Sequence, residues 1–246
     1  MKVLGLIPSR YKSTRLPGKP LINIDGMSMI ERVYKRASKA KYIDELIVAT
    51  DNEKIFNEVK RFGGKVMMTS LRHRSGTDRI AEIAKKTNFE IIVNIQGDEP
   101  FIPPTNIDKV IAPMLRDRTL KACTLAIRFK DIYDVMDINK VKVVLDKDNY
   151  AVYFSRSIIP FNTNASLSKL DLKKTKYYKH IGLYAFRKEF LVEFSKMKVS
   201  DLENSEKLEQ LRIIENGEKI KVITTTLDSY SIDTMQDFEK IKHYCK

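Results

Sequence analysis

The stretch VLGLIPSRYKSTRLPGKP, residues 3–20, is an apolar run followed by a polar, basic segment, and it gives the strongest indication of the fold. Its first five residues, 3–7, form an uninterrupted apolar run, which is typical of a strand buried on both faces of a sheet. Pro8 lacks the N–H that a central strand needs, so the strand is predicted to end there. Cations, hydroxyls and a glycine follow. The stretch therefore predicts a buried strand with a polar loop at its carboxyl end.

Beyond residue 20, short apolar runs alternate with segments of helical period. Further strands are predicted at 45–49, 66–68 and 91–95. The helices between them are predicted to begin at the N-caps Ser28, Asn52 and Thr77. This alternation is typical of a parallel sheet that is covered by helices on both faces.

The second half of the chain is less regular. Strands are predicted at 122–128, 141–145, 150–154, 181–186 and 220–225. Residues 161–176 are predicted to be a mobile loop, 205–216 a helix, and Thr234 the cap of a last helix. We expect one α/β domain over residues 1–246, with a mostly parallel sheet and an inserted lid or dimerisation subdomain at roughly 120–200.

The composition excludes several classes of protein. With 43% hydrophobic and 31% charged residues over 246 positions, the chain can bury a core and is too apolar for disorder. Cys123 and Cys245 lie far apart, so a disulfide framework and a Cys-rich zinc site are excluded, and with three histidines a poly-His metal site is not expected. No apolar run approaches the roughly 20 residues of a membrane span. We therefore expect a cytoplasmic protein that does not bind membranes.

The net charge of +13, from 45 Lys and Arg against 32 Asp and Glu, predicts anionic partners. Charge alone leaves nucleotides, phosphorylated metabolites, nucleic acid and membrane surfaces open. Three lysines at 173, 174 and 176 precede Tyr177 and Tyr178, a pattern that can bind a single nucleic-acid strand. No RRM, KH or helix-turn-helix signature accompanies it, so a solvated loop is favoured and nucleic acid is not expected as a partner.

The loop after the first strand has the residues of a phosphate site. Its cations are Arg10, Lys12, Arg15 and Lys19, and they surround Ser13, Thr14 and Gly18. Hydroxyls and amides donate to phosphate oxygens, cations offset their charge, and glycine permits close backbone approach. The loop has neither the Walker A nor the GxGxxG pattern, which disfavours P-loop hydrolysis and dinucleotide binding. A solvated basic turn is the alternative.

Two carboxylates are predicted to lie near this loop. Asp98 lies three residues after the strand at 91–95, and Asp233 lies between a strand and a capped helix. Taken singly, each aspartate has a structural alternative that is as plausible as a functional role. Asp98 could form an Asx-turn, and Asp233 could simply lie next to a helix cap. Together with a basic loop, the two acids favour a site for a triphosphate and Mg²⁺, because Mg²⁺ shares its coordination shell with substrate phosphates.

Nine stretches extend these motifs across the chain from residue 7 to 234. They are IPSRYKSTRLPGKPL, IVATD, SGTDR, VNIQGDEP, VKVVLD, YAVYFSRSIIP, KHIGLYAFR, LEQLR and SIDT. In this order they resemble the 3-deoxy-manno-octulosonate cytidylyltransferases, or CMP-KDO synthetases. The resemblance implies a Rossmann-like nucleotidyltransferase fold, a homodimer, and transfer of a cytidylyl group from CTP to the anomeric hydroxyl of KDO, with release of pyrophosphate. The product would enter lipopolysaccharide biosynthesis.

The resemblance also implies roles for individual residues. The triphosphate would be held by Arg10, Ser13, Arg15 and Lys19, and the cytosine and ribose would be recognised by Thr50, Ser75, Thr77, Asp78 and Arg79. Asp98 and Asp233 would ligate Mg²⁺, and Arg15 and Lys19 would offset the charge of the leaving pyrophosphate.

The sugar-acid pocket implied by the resemblance consists of Gln96, Arg156, His180, Tyr184, Glu209 and Gln210. Arg156 would face the substrate carboxylate, which suits a bidentate guanidinium. From the residues alone, His180 is more typical of a core or surface histidine, and Glu209 and Gln210 could be solvated helix positions. Transfer to 8-amino-KDO or to another acidic sugar remains an alternative, and a basic nucleic-acid-binding protein is the alternative outside enzymes.

Overall fold

A computed structural model describes residues 1–12, 16–163 and 171–242 of the chain. The strands of the main sheet and its extension are β1 (Val3–Ser9), β4 (Glu45–Thr50), β5 (Val66–Met68), β6 (Ile91–Asn94), β7 (Ala122–Arg128), β8 (Lys142–Leu145), β9 (Ala151–Ser155), β10 (Tyr178–Arg187) and β11 (Ile220–Thr225). A small hairpin is formed by β2 (Asn23–Ile24) and β3 (Met27–Ser28). The helices are α1 (Met29–Ala37), α2 (Glu53–Arg61), α3 (Gly76–Lys85), α4 (Pro104–Arg116), α5 (Ile132–Met136), α6 (Lys188–Phe194), α7 (Asp201–Glu206), α8 (Leu211–Glu215) and α9 (Met235–Lys242).

The main sheet has the strand order β11-β7-β10-β6-β1-β4-β5. All its strands run in one direction except β10, which is antiparallel to both of its neighbours. The prediction of a mostly parallel α/β sheet is confirmed. β7 and β10, which lie within 120–200, are inner strands of this sheet, whereas β8 and β9 extend from it beside β10.

Two apolar layers pack on opposite faces of the sheet. One contains buried side chains of α1, α2 and α4, and the other contains those of α3, α6 and α8. Side chains of β1 contribute to both layers because successive residues of a strand point to opposite faces. Because the strands are apolar on both faces, helices cover both faces of the sheet. The polar loops lie at the strand ends.

Side-chain caps define where several helices begin. The Ser28 and Asn52 side chains accept from the backbone N–H groups of Glu31 and Lys54, as predicted. The prediction that Thr77 caps α3 is wrong, because Ser75 is the cap and forms a reciprocal pair with Asp78. Thr77 therefore lies inside the helix, and its hydroxyl is available to a distant partner.

Other boundaries also differ from the sequence prediction. β1 continues past Pro8 to Ser9, because the ladder to β4 is maintained through both residues. The predicted helix at 205–216 is instead two helices, α7 and α8, separated at Lys207, whose φ of 55° is left-handed. Residues 164–170 of the predicted loop lie outside the described residues. In the described part of the chain, no helix has the length and apolar character needed to span a bilayer.

Candidate active site

The functional residues gather at the carboxyl ends of β1, β4 and β6, where ligands bind in open α/β sheets. The loop after β6 passes directly over the end of β1. A Cβ placed on Gly97 would lie 2.9 Å from the carbonyl oxygen of Pro8, so only glycine fits this crossing without a shift. The close approach brings the residues after β6 beside the loop that follows β1.

Lys19 joins two carboxylates that are 135 positions apart in the sequence. Its Nζ lies 2.7 Å from Asp98 Oδ2 and 3.0 Å from Asp233 Oδ1. The backbone N–H of Ile232 donates to the carbonyl of Asp98 at 2.9 Å and holds the two segments together. Burial lowers the pKa of Lys19, but the two carboxylates outweigh that effect and the pKa is raised overall. The ammonium is therefore a charged group at the point where both acids converge.

This arrangement fits a divalent cation. Two carboxylate oxygens already surround one positive charge, which is the ligand type that Mg²⁺ prefers. No group of three or more His, Cys, Asp or Glu side chains suited to a metal occurs among the described residues. The pair would therefore need water and substrate phosphates to complete an octahedral shell, which is the usual mode for Mg²⁺ at nucleotide sites.

A first cavity, of about 340 Å³, opens beside Lys19. We call it the nucleotide cavity; of the residues predicted to bind CTP, its wall includes Arg10, Lys19, Ser75 and Arg79. Ser13 and Arg15 lie outside the described residues. The wall also contains residues that the sequence prediction missed, among them Ser9, His73, Arg74 and Gly97. Ser9 and Gly97 adjoin predicted motifs and could have been found from that position alone.

The remaining residues predicted to bind the nucleoside are arranged differently. Thr50 is fully buried at the end of β4, where its hydroxyl accepts from the Asn52 backbone. Asp78, in the first turn of α3, accepts from the backbone N–H of Ser75 and borders an adjoining groove that also includes Arg10 and Ser75. The Arg79 guanidinium is buried and donates to Thr69 and Asp51. These contacts anchor the turn, and the predicted recognition of cytosine and ribose by these residues stays a prediction.

A second cavity, of about 390 Å³, is also lined by the two carboxylates. We call it the acceptor cavity, and its wall includes all six residues predicted for the sugar acid, namely Gln96, Arg156, His180, Tyr184, Glu209 and Gln210. Thr77, predicted for the nucleoside, also lies here, and its hydroxyl donates to Glu209 at 2.5 Å. The apolar part of the wall consists of Val141, Phe186, Phe194, Leu208 and Ile213.

The two cavities share part of their walls. Gln96, Asp98 and Asp233 line both of them. Gln96 is held in place because its amide donates to the carbonyl of Gly182 at 2.9 Å. Molecules bound in the two cavities would therefore meet at the carboxylate pair.

Several polar atoms of the acceptor cavity have no hydrogen-bond partner among the described residues. These are Asn94 Oδ1, the Tyr184 hydroxyl and Glu209 Oε1, all of which are buried, and Glu209 Oε1 has only a longer ion-pair contact of 3.8 Å with Arg212 Nη2. Burial raises the pKa of Glu209, and it raises the pKa of Tyr184 well above its ordinary value. Buried polar atoms without partners are costly, so the cavity is built to accept hydrogen-bonding groups from a ligand.

Arg156 and His180 are fixed by neighbouring elements. The guanidinium of Arg156 donates to the carbonyls of Glu206 at 2.9 Å and Ile138 at 3.2 Å. The His180 ring lies against Phe154, and burial lowers the pKa of His180 to about 3, so the ring is neutral at physiological pH. His180 can therefore serve as a hydrogen-bonding group of the cavity, but not as a cation.

The sequence prediction missed Asn94 and Glu99 in the acceptor cavity. Asn94 is the last residue of β6 and lies opposite Tyr184 on β10. Burial raises the pKa of Glu99 to about 7, although a hydrogen bond from Ser229 opposes that effect. Glu99 directly follows the predicted Gln96–Asp98 segment and Asn94 lies two residues before it, but their contacts depend on strands and loops more than 80 positions away.

Comparisons with known proteins agree with this geometry. The profile of the family described as cytidylyltransferase matches residues 4–220. A 3-deoxy-manno-octulosonate cytidylyltransferase of Fusobacterium nucleatum is 48% identical over 248 residues, covering 100% of this chain and 98% of the relative. The chain belongs to this family. A relative of the same name from Geobacter metallireducens is 46% identical, over 98% of this chain and 96% of its own. The resemblance seen in the sequence is thus confirmed.

Solved structures extend the comparison. A CMP:2-keto-3-deoxy-manno-octonic acid synthetase complexed with CTP superposes with a TM-score of 0.93 at 37% identity, covering 100% of this cytidylyltransferase and 98% of that chain. A 4-diphosphocytidyl-2C-methyl-D-erythritol synthase of Anaerococcus prevotii gives a TM-score of 0.62 at 19% identity, over 99% and 98% of the two chains. The second likeness establishes only a shared fold, and the nucleotidyltransferase fold class is confirmed.

Proposed function

We propose that this cytidylyltransferase transfers a cytidylyl group from CTP to the anomeric hydroxyl of 3-deoxy-D-manno-octulosonate, giving CMP-KDO and pyrophosphate. The observation that carries the proposal is the shared wall of Gln96, Asp98 and Asp233 between the nucleotide and acceptor cavities. A nucleotide on one side and a sugar acid on the other would present their reacting atoms to the same carboxylates. The names of the relatives, at 43–48% identity, support the same reaction.

The chemistry needs positioning and charge stabilisation more than a covalent nucleophile. The anomeric oxygen forms a bond to the α-phosphorus, the bond from that phosphorus to the pyrophosphate oxygen breaks, and the hydroxyl proton passes to water. Lys19 lines the nucleotide cavity beside Asp98 of the shared wall and would offset charge that develops on the departing pyrophosphate. Arg10 would add a second cation from the loop after β1, and we propose Arg15 as a third.

We propose Mg²⁺ as the cofactor, with Asp98 and Asp233 as its protein ligands. The proposal is supported by the convergence of both carboxylates on one cation. When bound, Mg²⁺ would supply Lewis-acid stabilisation of phosphate charge and lower the pKa of a coordinated hydroxyl. The two aspartates would orient the site from opposite segments of the chain.

The acceptor is proposed to be an acidic sugar because the acceptor cavity joins one cation to several hydrogen-bonding groups. Arg156 would face the carboxylate, since its charge is held at the wall by two backbone carbonyls. Gln96, Asn94, Tyr184 and Glu209 would bind hydroxyl groups. KDO is proposed from the relatives, and 8-amino-KDO or another acidic sugar is the competing acceptor of the same reaction.

The reaction is tested by pyrophosphate release. With CTP and Mg²⁺, we expect turnover with KDO that exceeds turnover with 8-amino-KDO and with a sialic acid. Replacement of CTP by UTP, and removal of Mg²⁺ by a chelator, should each abolish the signal. Turnover with another sugar acid alone would keep cytidylyl transfer and replace the acceptor, whereas no release with any acid would refute the proposal.

Nucleic-acid binding has less support in the structure. Tyr177, one of the two aromatic residues on which that alternative rested, is buried with Phe129 and Val135 in a small apolar cluster. Its ring is therefore not available for stacking on a base.

CTP is a cytoplasmic substrate, so we propose that the reaction takes place in the cytoplasm, with CMP-KDO supplied to lipopolysaccharide biosynthesis.

We propose that the enzyme is a homodimer that buries the apolar surface around α5 and β9. Tyr133, Ile138, Val152 and Phe161 are all more than half exposed there. The segment after α5 is held against β8 and β9, because Arg156, which follows β9, donates to the Ile138 carbonyl and Lys142 of β8 donates to the Asp137 carbonyl. Exposed apolar groups that cluster in this way are typical of protein interfaces.

An Ile138→Asp variant is therefore expected to be a monomer where the native enzyme is a dimer, because a charge would be buried in the apolar interface. Size-exclusion chromatography with light scattering gives the mass directly. Leu71→Asp is the matched control, since Leu71 is 79% exposed and belongs to the loop after β5. A dimer in Ile138→Asp, or loss of the dimer in Leu71→Asp, would contradict the assignment of this surface.

A further inference from the structure

Thr124 is a buried polar residue in the apolar strand β7, and it contacts His180 of the acceptor-cavity wall. Its hydroxyl oxygen lies 2.9 Å from the carbonyl of Leu183, 3.2 Å from the carbonyl of Ile181 and 3.0 Å from His180 Nε2. All three partners belong to β10, whose register against β7 shifts between Ile181 and Tyr184. The irregularity thus places one side-chain hydroxyl beside two main-chain acceptors and a ring nitrogen.

The hydroxyl has one proton, and this decides the direction of each hydrogen bond. Carbonyl oxygens only accept, so a bond from Thr124 to Leu183 or Ile181 uses that proton. The bond to His180 then requires Nε2 to carry a proton and donate to the threonine oxygen. If Thr124 donated to Nε2 instead, neither carbonyl would receive its proton. The first arrangement makes two hydrogen bonds and the second makes one, so the first is favoured in this buried site.

The surroundings of His180 agree with a neutral ring. Its centroid lies 4.8 Å from that of Phe154 and 5.4 Å from that of Tyr184, and burial keeps its pKa far below physiological pH. A neutral imidazole with a proton on Nε2 has a lone pair on Nδ1. That nitrogen can accept a hydrogen bond and cannot donate one. His180 forms part of the acceptor-cavity wall.

We propose that Thr124 is a positioning residue that holds His180 as the Nε2–H tautomer, so that Nδ1 accepts a hydrogen bond from a hydroxyl of the acceptor sugar. The part of this proposal that concerns the sugar rests on the proposed function. The part that concerns the tautomer does not, because it follows from the hydrogen bonds of the ligand-free protein.

The tautomer is measured by nitrogen-15 NMR of the histidine-labelled protein without substrate. The chain has three histidines, and comparison with a His180→Gln variant assigns the signal. We expect a protonated Nε2 and an unprotonated Nδ1 between pH 8 and pH 5. In Thr124→Val, we expect the protonated-Nδ1 form to appear, while Thr124→Ser should retain the native pattern. A native Nδ1–H tautomer, a protonated ring in this range, or a Thr124→Val spectrum like the native one would overturn the assignment.

Steady-state kinetics test the link to the sugar. Thr124→Val should raise KM for the acceptor about tenfold, the equivalent of one hydrogen bond. We expect KM for CTP to stay within about twofold, and Thr124→Ser to restore the acceptor KM. Thr225→Val is the control, since Thr225 is a buried threonine of the neighbouring strand β11 and donates to Asn106.

These outcomes separate the two proposals. An Nε2–H tautomer with no turnover on any sugar acid would refute the proposed function and leave the role of Thr124 in fixing the ring. An equal rise in both KM values, or no rise in either, would overturn its role in acceptor binding. If Thr124→Val does not fold, the native spectrum still decides the tautomer, and Thr124→Ala tests its dependence on the hydroxyl.

Discussion

Replacement of Asp98 by asparagine should lower kcat by about 100- to 1000-fold, the range found when a charge-stabilising group is removed from a transition state. Asparagine keeps the shape of the side chain and removes its charge. Asp98 lies at the wall shared by both cavities, 2.7 Å from Lys19 Nζ. The proposed metal would lose one of its two protein carboxylates at the point where the reacting groups meet.

The same reasoning applies to Asp233→Asn. A double variant should be little worse than either single variant, because residues that act on one ion do not contribute independently. Pyrophosphate release at saturating CTP and acceptor measures kcat, and thermal unfolding checks that the fold survives. Asp25→Asn is the control, since Asp25 also pairs with a cation, Arg32, but lies in the exposed turn of the hairpin. Turnover within tenfold of the native enzyme in both active-site variants would remove their metal-binding role.

The site at the sheet edge could be predicted because a topological rule made its distant parts neighbours. Asp98 follows one strand and Asp233 precedes a capped helix, and neither is distinctive alone. Carboxyl ends of parallel strands meet at one edge, so a basic loop after β1 and an acid after β6 had to lie close together. The hydrogen bond from Ile232 to Asp98 could not be predicted, since it depends on the path of the chain after β11.

The two incorrect helix predictions, the N-cap of α3 and the single helix at 205–216, have local physical causes. Thr77 and Ser75 are both good N-caps, and the choice depends on which residue has a carboxylate three positions later. Asp78 stands at that distance from Ser75, and the reciprocal bonds form there. The helix predicted at 205–216 had an acceptable apolar period, but the left-handed Lys207 divides it. This break lets Glu209 and Gln210 reach the acceptor cavity from the short connection between two helices.

Buried polar residues inside apolar strands were the hardest to predict. Thr124 in ACTLAIR and Asn94 in IIVN have the surroundings of ordinary core positions. Their contacts depend on the register between strands. Asn94 lies opposite Tyr184, and Thr124 lies beside the part of β10 where its register against β7 shifts. Period and composition do not fix register between strands that are 50 to 90 residues apart, so the sequence alone gave no signal for either.

Lys19→Met should have opposite effects on metal affinity and on turnover. In the ligand-free protein, the Lys19 ammonium occupies the point where Asp98 and Asp233 converge. A divalent ion bound there must displace or tolerate that charge. Methionine retains the length of the side chain without the charge, so the affinity for a divalent ion in the absence of nucleotide should rise at least about tenfold, given the size of a close charge–charge term. Turnover should fall about 100-fold, because the cation that would face the triphosphate is lost.

Mn²⁺ titration followed by electron paramagnetic resonance measures the first effect, and pyrophosphate release measures the second. Lys179→Met is the matched control, because Lys179 also pairs with an aspartate, Asp228, but not with the active-site pair. It should leave Mn²⁺ affinity unchanged. Lower or unaltered Mn²⁺ affinity in Lys19→Met would contradict competition at a common position, whereas higher affinity with native turnover would remove Lys19 from the phosphate site. If Lys19 pairs with the two carboxylates in the free protein and with the phosphates during the reaction, its replacement must raise the Mn²⁺ affinity and lower the turnover together.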